Sequence, residues 1–143
     1  MAATTTAVTG VLGVFAVGTT RVARATQHAV SSKLASKSEW GDSDTAGYTA
    51  RMPGRKDGTF TAEGKFDSGD EQYDLFQPGD KVIATLWMNA SLYWDFPCAM
   101  NEDFSMTVNI DSQEVIGWNT NWGADGIFHY PGQAGAAART VPT

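Results

Sequence analysis

The chain has 143 residues, room for one domain with a real core, and its 10 Lys and Arg against 16 Asp and Glu leave a net charge of −6. That balance argues against phosphate backbones as the main partner, because they are gripped by clustered Lys and Arg. The single cysteine, Cys98, leaves no intrachain disulfide and no thiolate metal cluster within one chain.

The first 20 residues are almost all Ala, Thr, Val and Gly, with little side-chain variety for packing and much backbone freedom. Within them AVTGVLGVFAVG, residues 7–18, falls short of the about 20 apolar residues that span a bilayer. It has the texture of a signal-peptide core, with Ala-Arg-Ala at 23–25 as a cleavage-like site, yet no Lys or Arg precedes it. The reading adopted is an N-terminal arm over residues 1–20, or a first strand, ahead of a β domain over 21–132. Thr20 to Ser32 is β-compatible, with Val22 and Val30 as anchors, and SSKLASKSEWGDSDTAG is then polar and loop-like.

GYTARMPGRKDGTFTAEGKFD has a period of two. Tyr48, Ala50 and Met52 share a face, as do Phe60, Ala62, Gly64 and Phe66 after the connection PGRKDG. The pattern predicts an antiparallel hairpin with one wet face and a charged tip of Arg51, Arg55, Lys56 and Asp57. SGDEQYDLFQPGDK breaks the alternation. Ser68 with Glu71 three residues on marks a short helix, Tyr73 and Phe76 lie three apart on it, and Pro78-Gly79 stops it.

In KVIATLWM, Val82, Ala84, Leu86 and Met88 oppose Ile83 and Trp87, so both faces are apolar and the strand is expected to be central. ASLYWDF groups Leu92, Trp94 and Phe96, and DFSMTVNID alternates through Phe104, Met106, Val108 and Ile110. EVIGWNTNW puts Ile116, Trp118 and Trp122 on one face, GIFHYPG closes the fold, and residues 133–143 read as a flexible C-terminal tail. The expected core is Phe60, Phe66, Val82, Leu86, Leu92, Trp94, Phe96, Phe104, Met106, Val108 and Ile110. The fold class is mainly β: an antiparallel β-sandwich or barrel with one short helix and an extended N-terminal arm.

No serine-hydrolase elbow, zinc-protease helix, paired CxxC, Walker loop or dinucleotide fingerprint occurs, so no catalytic, cofactor or metal residue is singled out. Asp42–Gly47, DSDTAG, is similar to a calcium loop, but Ala46 occupies a ligand position and the distal Glu is missing. Asn89-Ala90-Ser91 fits a glycosylation sequon and fits a tight turn equally well. Cys98 in WDFPCAM reads as a small buried hydrophobe. Trp87, Trp94, Trp118 and Trp122 read as core or subunit contact, with a sugar-stacking platform as the alternative. Charge is divided unevenly: residues 1–65 carry +3 and 66–143 carry −9, which would orient copies of the chain basic part to acidic part.

The order of these features resembles the tail tube proteins of long-tailed bacteriophages. The residues that carry the resemblance are the hairpin RMPGRKDGTFTAEGKFD, the helix end LFQPGD, the strand KVIATLWM and the closing GIFHYPG, within Val22 to Gly132. It implies a β-sandwich or barrel flanked by a helix. Subunits would form hexameric rings with sheets joined around a lumen, stacked through an arm and a long loop, and DNA would slide through without being bound. On that reading the partners are copies of the chain, other virion proteins and transiently DNA, with no membrane, no cofactor and no enzymatic activity. The protein would reside in the virion tail, and in the host cytoplasm during assembly. The subunit-interface residues expected are Arg51, Arg55, Lys56, Asp57, Trp87, Trp118 and Trp122. A capsid decoration protein and a carbohydrate-binding β-sandwich are the alternatives.

Overall fold

A computed structural model describes residues 13–22, 24–66, 77–89, 91–112, 114–133 and 138–140. Among these residues nine strands follow in chain order: β1 (Val14–Val17), β2 (Thr20–Arg21), β3 (Ala25–Leu34), β4 (Lys37–Trp40), β5 (Ala50–Pro53), β6 (Lys56–Lys65), β7 (Lys81–Trp87), β8 (Tyr93–Thr107) and β9 (Gly117–Ala124). The mainly β, antiparallel architecture expected from the alternating segments is what the chain adopts. The short helix expected after Ser68 falls outside the described residues.

Seven strands form one antiparallel sheet in the order β2-β1-β7-β8-β9-β6-β3, and β4 and β5 form a separate two-stranded ribbon. The large sheet curls on itself. Phe15 of β1 and Phe60 of β6, strands well apart in that order, bring their rings within 6.0 Å. His28 of the edge strand β3 donates from Nε2 to the carbonyl of Trp87 at the end of β7, 3.1 Å away. The curl turns on β8. Its first half pairs with β7, from Tyr93 to Met100, and its second half with β9, from Ala99 to Thr107. Each half contains a bulge, and Pro97, which lacks an N–H for a ladder, sits within the first.

The main core fills the inside of the curl with Phe15, Val17, Val22, Phe60, Ala62, Leu86, Phe96, Trp118 and Trp122. Phe60 is its centre, 4.7 Å from Phe96 and stacked on Trp122 at 5.7 Å. Gly64 is required by packing: a Cβ there would lie 2.4 Å from the Arg24 carbonyl oxygen, a contact no side chain tolerates. β7 is central, as the two apolar faces of KVIATLWM imply, and its outside is covered over Thr85–Trp87, while Ile83 stays 40% exposed. Cross-strand rows Val14–Trp87–Tyr93 and Ala16–Thr85–Asp95 line up there by register, and Trp87 packs on Tyr93 at 4.2 Å.

Several expectations need correction. Of the two readings for the N-terminal segment, arm or first strand, Val14–Val17 takes the second: it is a buried strand paired with β7, so small apolar side chains suffice where both faces are covered. The rest of that arm, residues 1–12, lies outside the described residues. The polar stretch after Ser31 is not a loop but the end of β3, then β4, then a 3-10 turn at Ser43–Thr45. The hairpin expected within residues 47–67 does not form, because β5 pairs with β4 while β6 pairs with β3 and β9. The true hairpin is longer: β3 continues into β4 and β5 into β6. The two arms cross where Ala35 donates to the Arg55 carbonyl (2.7 Å) and Gly54 to the Ser36 carbonyl (2.8 Å). A Cβ at Gly54 would sit 2.7 Å from that Ser36 oxygen, which explains Pro-Gly at this point.

Met106, Val108 and Ile110 leave the core list. β8 ends at Thr107, still paired with Gly117, so Met106 lies at an uncovered end of the sheet while the alternation runs on past the strand into solvent, where Ile110 is 92% exposed. Leu92, Trp94, Phe66, Val82 and Phe104 are half-buried, while Phe60, Leu86 and Phe96 are buried as expected. Among the described residues of the C-terminal tail, Arg139 is tied to the sheet. Arg139 donates from Nε to Asp95 Oδ1 at 2.8 Å and from its backbone N–H to the Tyr93 hydroxyl at 3.2 Å.

Candidate assembly surfaces

The β4–β5 ribbon is two-faced because residues opposite each other in register share a side. Ser38, Trp40, Ala50 and Met52 make one face; Lys37, Glu39, Arg51 and Pro53 make the other. On the charged side Glu39 accepts from Lys37 at 2.8 Å and from Arg51 at 3.3 Å. The ribbon ends in a tightly wired turn: Asp42 Oδ1 accepts from the N–H groups of Asp44 (2.9 Å) and Thr45 (3.1 Å), and Ala46 closes it at φ 53. The resemblance of DSDTAG to a calcium loop thus has a local cause. Its Asp caps a 3-10 turn and is committed to backbone donors. The ribbon's other side chains are not covered by the chain itself, with Met52 at 58% and Trp40 at 45% exposure.

A second exposed apolar group lies at the turn from β8 to β9, where Val108, Ile110 and Val115 stand in solvent. Asn109 Oδ1 accepts from the N–H groups of Asp111 and Ser112, the local bonding that lets Asn end a strand. Asp111 and Glu114 give the turn its charge, and the sequence holds no Lys or Arg between Lys81 and Arg139. At the opposite end of β9, Lys81 and Asp125 pair at 3.0 Å. Their hydrogen bond raises the Lys81 pKa and lowers that of Asp125.

On the outside of β7 and β8 a buried polar cluster closes the fold. His129 forms an antiparallel bridge with Asp95, so GIFHYPG runs beside the first half of β8, where β9 does not reach. Phe128 stacks inward on Phe96, while on the other side His129 Nδ1 and Asp95 Oδ2 face each other at 3.8 Å. The Asp95 side chain is 1% exposed and Arg139 supplies its countercharge. Sequence reasoning missed this cluster. Its signals were an Asp between aromatics in Tyr-Trp-Asp-Phe and a lone Arg at the end of a stretch without cations.

The expected interface residues divide into two groups. Arg51, Arg55 and Lys56 are exposed and Asp57 is half-buried, at the base of the ribbon and opposite Lys33. Trp87, Trp118 and Trp122 are buried within their own chain, in keeping with the core reading of the tryptophans. Aromatic residues fill cores as readily as interfaces, and composition does not separate the two. Cys98 is half-buried rather than buried, with Sγ 3.7 Å from Asp125 Oδ2. Asn89 is used locally, its Oδ1 accepting from the N–H groups of Ser91 and Leu92 at 2.8 Å each. Among the described residues no cluster of His, Cys, Asp and Glu is arranged to hold a metal ion. No helix among them is long and apolar enough to cross a membrane.

This curled sheet, with its ribbon and closing strap, matches several solved structures. The tube-terminating cap of the anti-feeding prophage is 14% identical, with a TM-score of 0.66, over 91% of this chain and 95% of that one. A chain in the virion of a native gene transfer agent reaches 0.70 at 11% identity, over 87% of this chain and 98% of that one. One in the sheath-tube complex of an extracellular contractile injection system reaches 0.62 at 16% identity, over 85% and 91%. The chain shares the fold of tail and tube components. No family model and no curated protein sequence matches it.

Proposed function

We propose that the chain is a virion structural protein that self-assembles into stacked hexameric rings, forming a tail tube through which DNA passes. The observation that carries this reading is the shared fold, which spans nearly the whole of both chains in each comparison rather than one common hairpin. One matching chain comes from the tail of a gene transfer agent particle with C6 symmetry, which supports six subunits per ring. The surface supports it as well. A thin ribbon with an uncovered apolar face is costly to a protein that works alone and useful to one that is covered by its neighbours. An acidic chain also suits a conduit for DNA, since like charge disfavours the phosphate contacts that would hold the cargo.

The role on this reading is mechanical, without catalysis. Its partners are copies of itself and other virion proteins, in the tail of the particle and, before that, in the host cytoplasm. Negative-stain electron microscopy of the purified protein tests it: sixfold rings or tubes are expected. Compact particles without sixfold symmetry would favour a capsid decoration role instead, and a monomer over a wide range of concentration and salt would refute self-assembly.

A further inference from the structure

Among the described residues Asp95 is the only carboxylate that the fold buries. Thr85 lies directly opposite it in the register and the Trp87–Tyr93 pair beside it, so it belongs to the outside of β7 and β8 and not to the main core. Its Oδ2 and the Nδ1 of His129 face each other at 3.8 Å, too far for a hydrogen bond, and neither atom has another partner among the described residues. A single residue of the C-terminal tail reaches this place. Arg139 donates from Nε to Asp95 Oδ1 and from its backbone N–H to the Tyr93 hydroxyl, while Ala138 and Thr140 on either side of it are exposed. Between Gln133 and Arg139 the sequence is Ala and Gly alone, with nothing larger than a methyl group to fasten it. That is the footprint of a ligand on a tether, not of a strand built into the sheet.

We propose that Asp95, Tyr93 and His129 form a guanidinium-binding site on the outside of β7 and β8, with the C-terminal tail as its exchangeable ligand. The proposal stands apart from the tube-forming reading and does not depend on it. A carboxylate this deeply buried needs a cation, and among the described residues only Arg139 and His129 come within ion-pair distance of it. Geometry selects the kind of cation. Arg139 meets the carboxylate through Nε on one oxygen only, and Oδ2 accepts no hydrogen bond among the described residues. A guanidinium carries parallel N–H groups that match both oxygens of a carboxylate, whereas an ammonium is a single point charge. A guanidinium released from the tether is therefore free to turn and bond both. What keeps Arg139 in place is its attachment, which holds it near the site at an effective concentration of roughly millimolar. Once the tether is cut, the same residues should bind and leave reversibly.

The test cuts the tether in the folded protein. A protease recognition sequence inserted after Gln133 lets the full-length chain fold with its tail, and cleavage then frees residues 134–143 as a peptide. Calorimetric titration of the cut, tail-depleted protein with a synthetic peptide of residues 134–143 should show saturable binding, about tenfold or more weaker for the Arg139→Ala and Arg139→Lys peptides. N-acetylarginine amide should compete with the peptide and N-acetyllysine amide should not, and Asp95→Asn in the cut protein should abolish the preference for Arg. A second measurement uses the uncut Arg139→Ala chain: guanidinium at about 20 mM, far below its denaturing range, should raise the melting midpoint where equal sodium chloride does not. Equal affinity for the Arg and Ala peptides overturns the proposal, as does a cut chain that melts like the intact one and takes no peptide back. A cut chain that unfolds and is not refolded by the peptide overturns it too.

Discussion

Arg139→Ala is the most direct probe of the strap that closes the fold. The substitution deletes the cation 2.8 Å from an Asp95 carboxylate whose side chain is 1% exposed, leaving only His129 at 3.8 Å to face it. Removing one partner of a fully buried pair costs about 3–5 kcal/mol, because the remaining charge stays desolvated without compensation. Arg139 itself is 24% exposed, so water can reach the space it vacates, and the lower end, about 2–3 kcal/mol, is expected. At about 3 °C per kcal/mol for a domain of this size, the midpoint should fall by roughly 6–9 °C. Differential scanning calorimetry at neutral pH measures it. Asp95→Asn in the Arg139→Ala background should recover part of the loss by removing the stranded charge. A midpoint within 1 °C of wild type would show that the tail is not fastened at this point.

Other changes test the corrected fold. Val108→Asp, at a position expected from alternation to be core, should stay soluble and melt within about 0.5 kcal/mol of wild type, since the side chain is in solvent; failure to fold would restore it to the core. Deleting residues 2–12 should leave a folded subunit, whereas deletion through Gly18 removes the buried strand β1 and should abolish cooperative melting; circular dichroism separates the two. Burial lowers the His28 pKa, against the smaller opposing effect of its bond to the Trp87 carbonyl. The folded state therefore binds fewer protons than the unfolded one, and stability should fall as pH drops through about 6.5. Thermal melts at pH 7.5 and 5.5 should show a smaller acid loss in His28→Gln, and equal losses would refute that origin.

Alternation alone determined the β class, the strands β6, β7 and β9, the two-faced burial of β7, and Phe60, Leu86 and Phe96 as core. Each follows from the pleat, which sends successive side chains to opposite sides whatever the strand's neighbours. Pairing was not legible, because it depends on which edges meet across the sheet. The motif around Pro53-Gly54 reads as a turn, yet there the chain leaves the ribbon for the main sheet, and only the crossing against Ser36 shows it. Nor can periodicity report where a strand outruns its cover: Phe104 and Val108 share a phase, but only Phe104 packs against the core. The same holds for the tryptophans, whose burial depends on the curl of the sheet, and for Asp95, His129 and Arg139, which are brought together by a strap that local sequence does not specify. The candidate site followed suit. Its charged residues could be named from the chain, but the apolar face beside them exists only once β3 to β6 are paired, because register decides which side chains share a face.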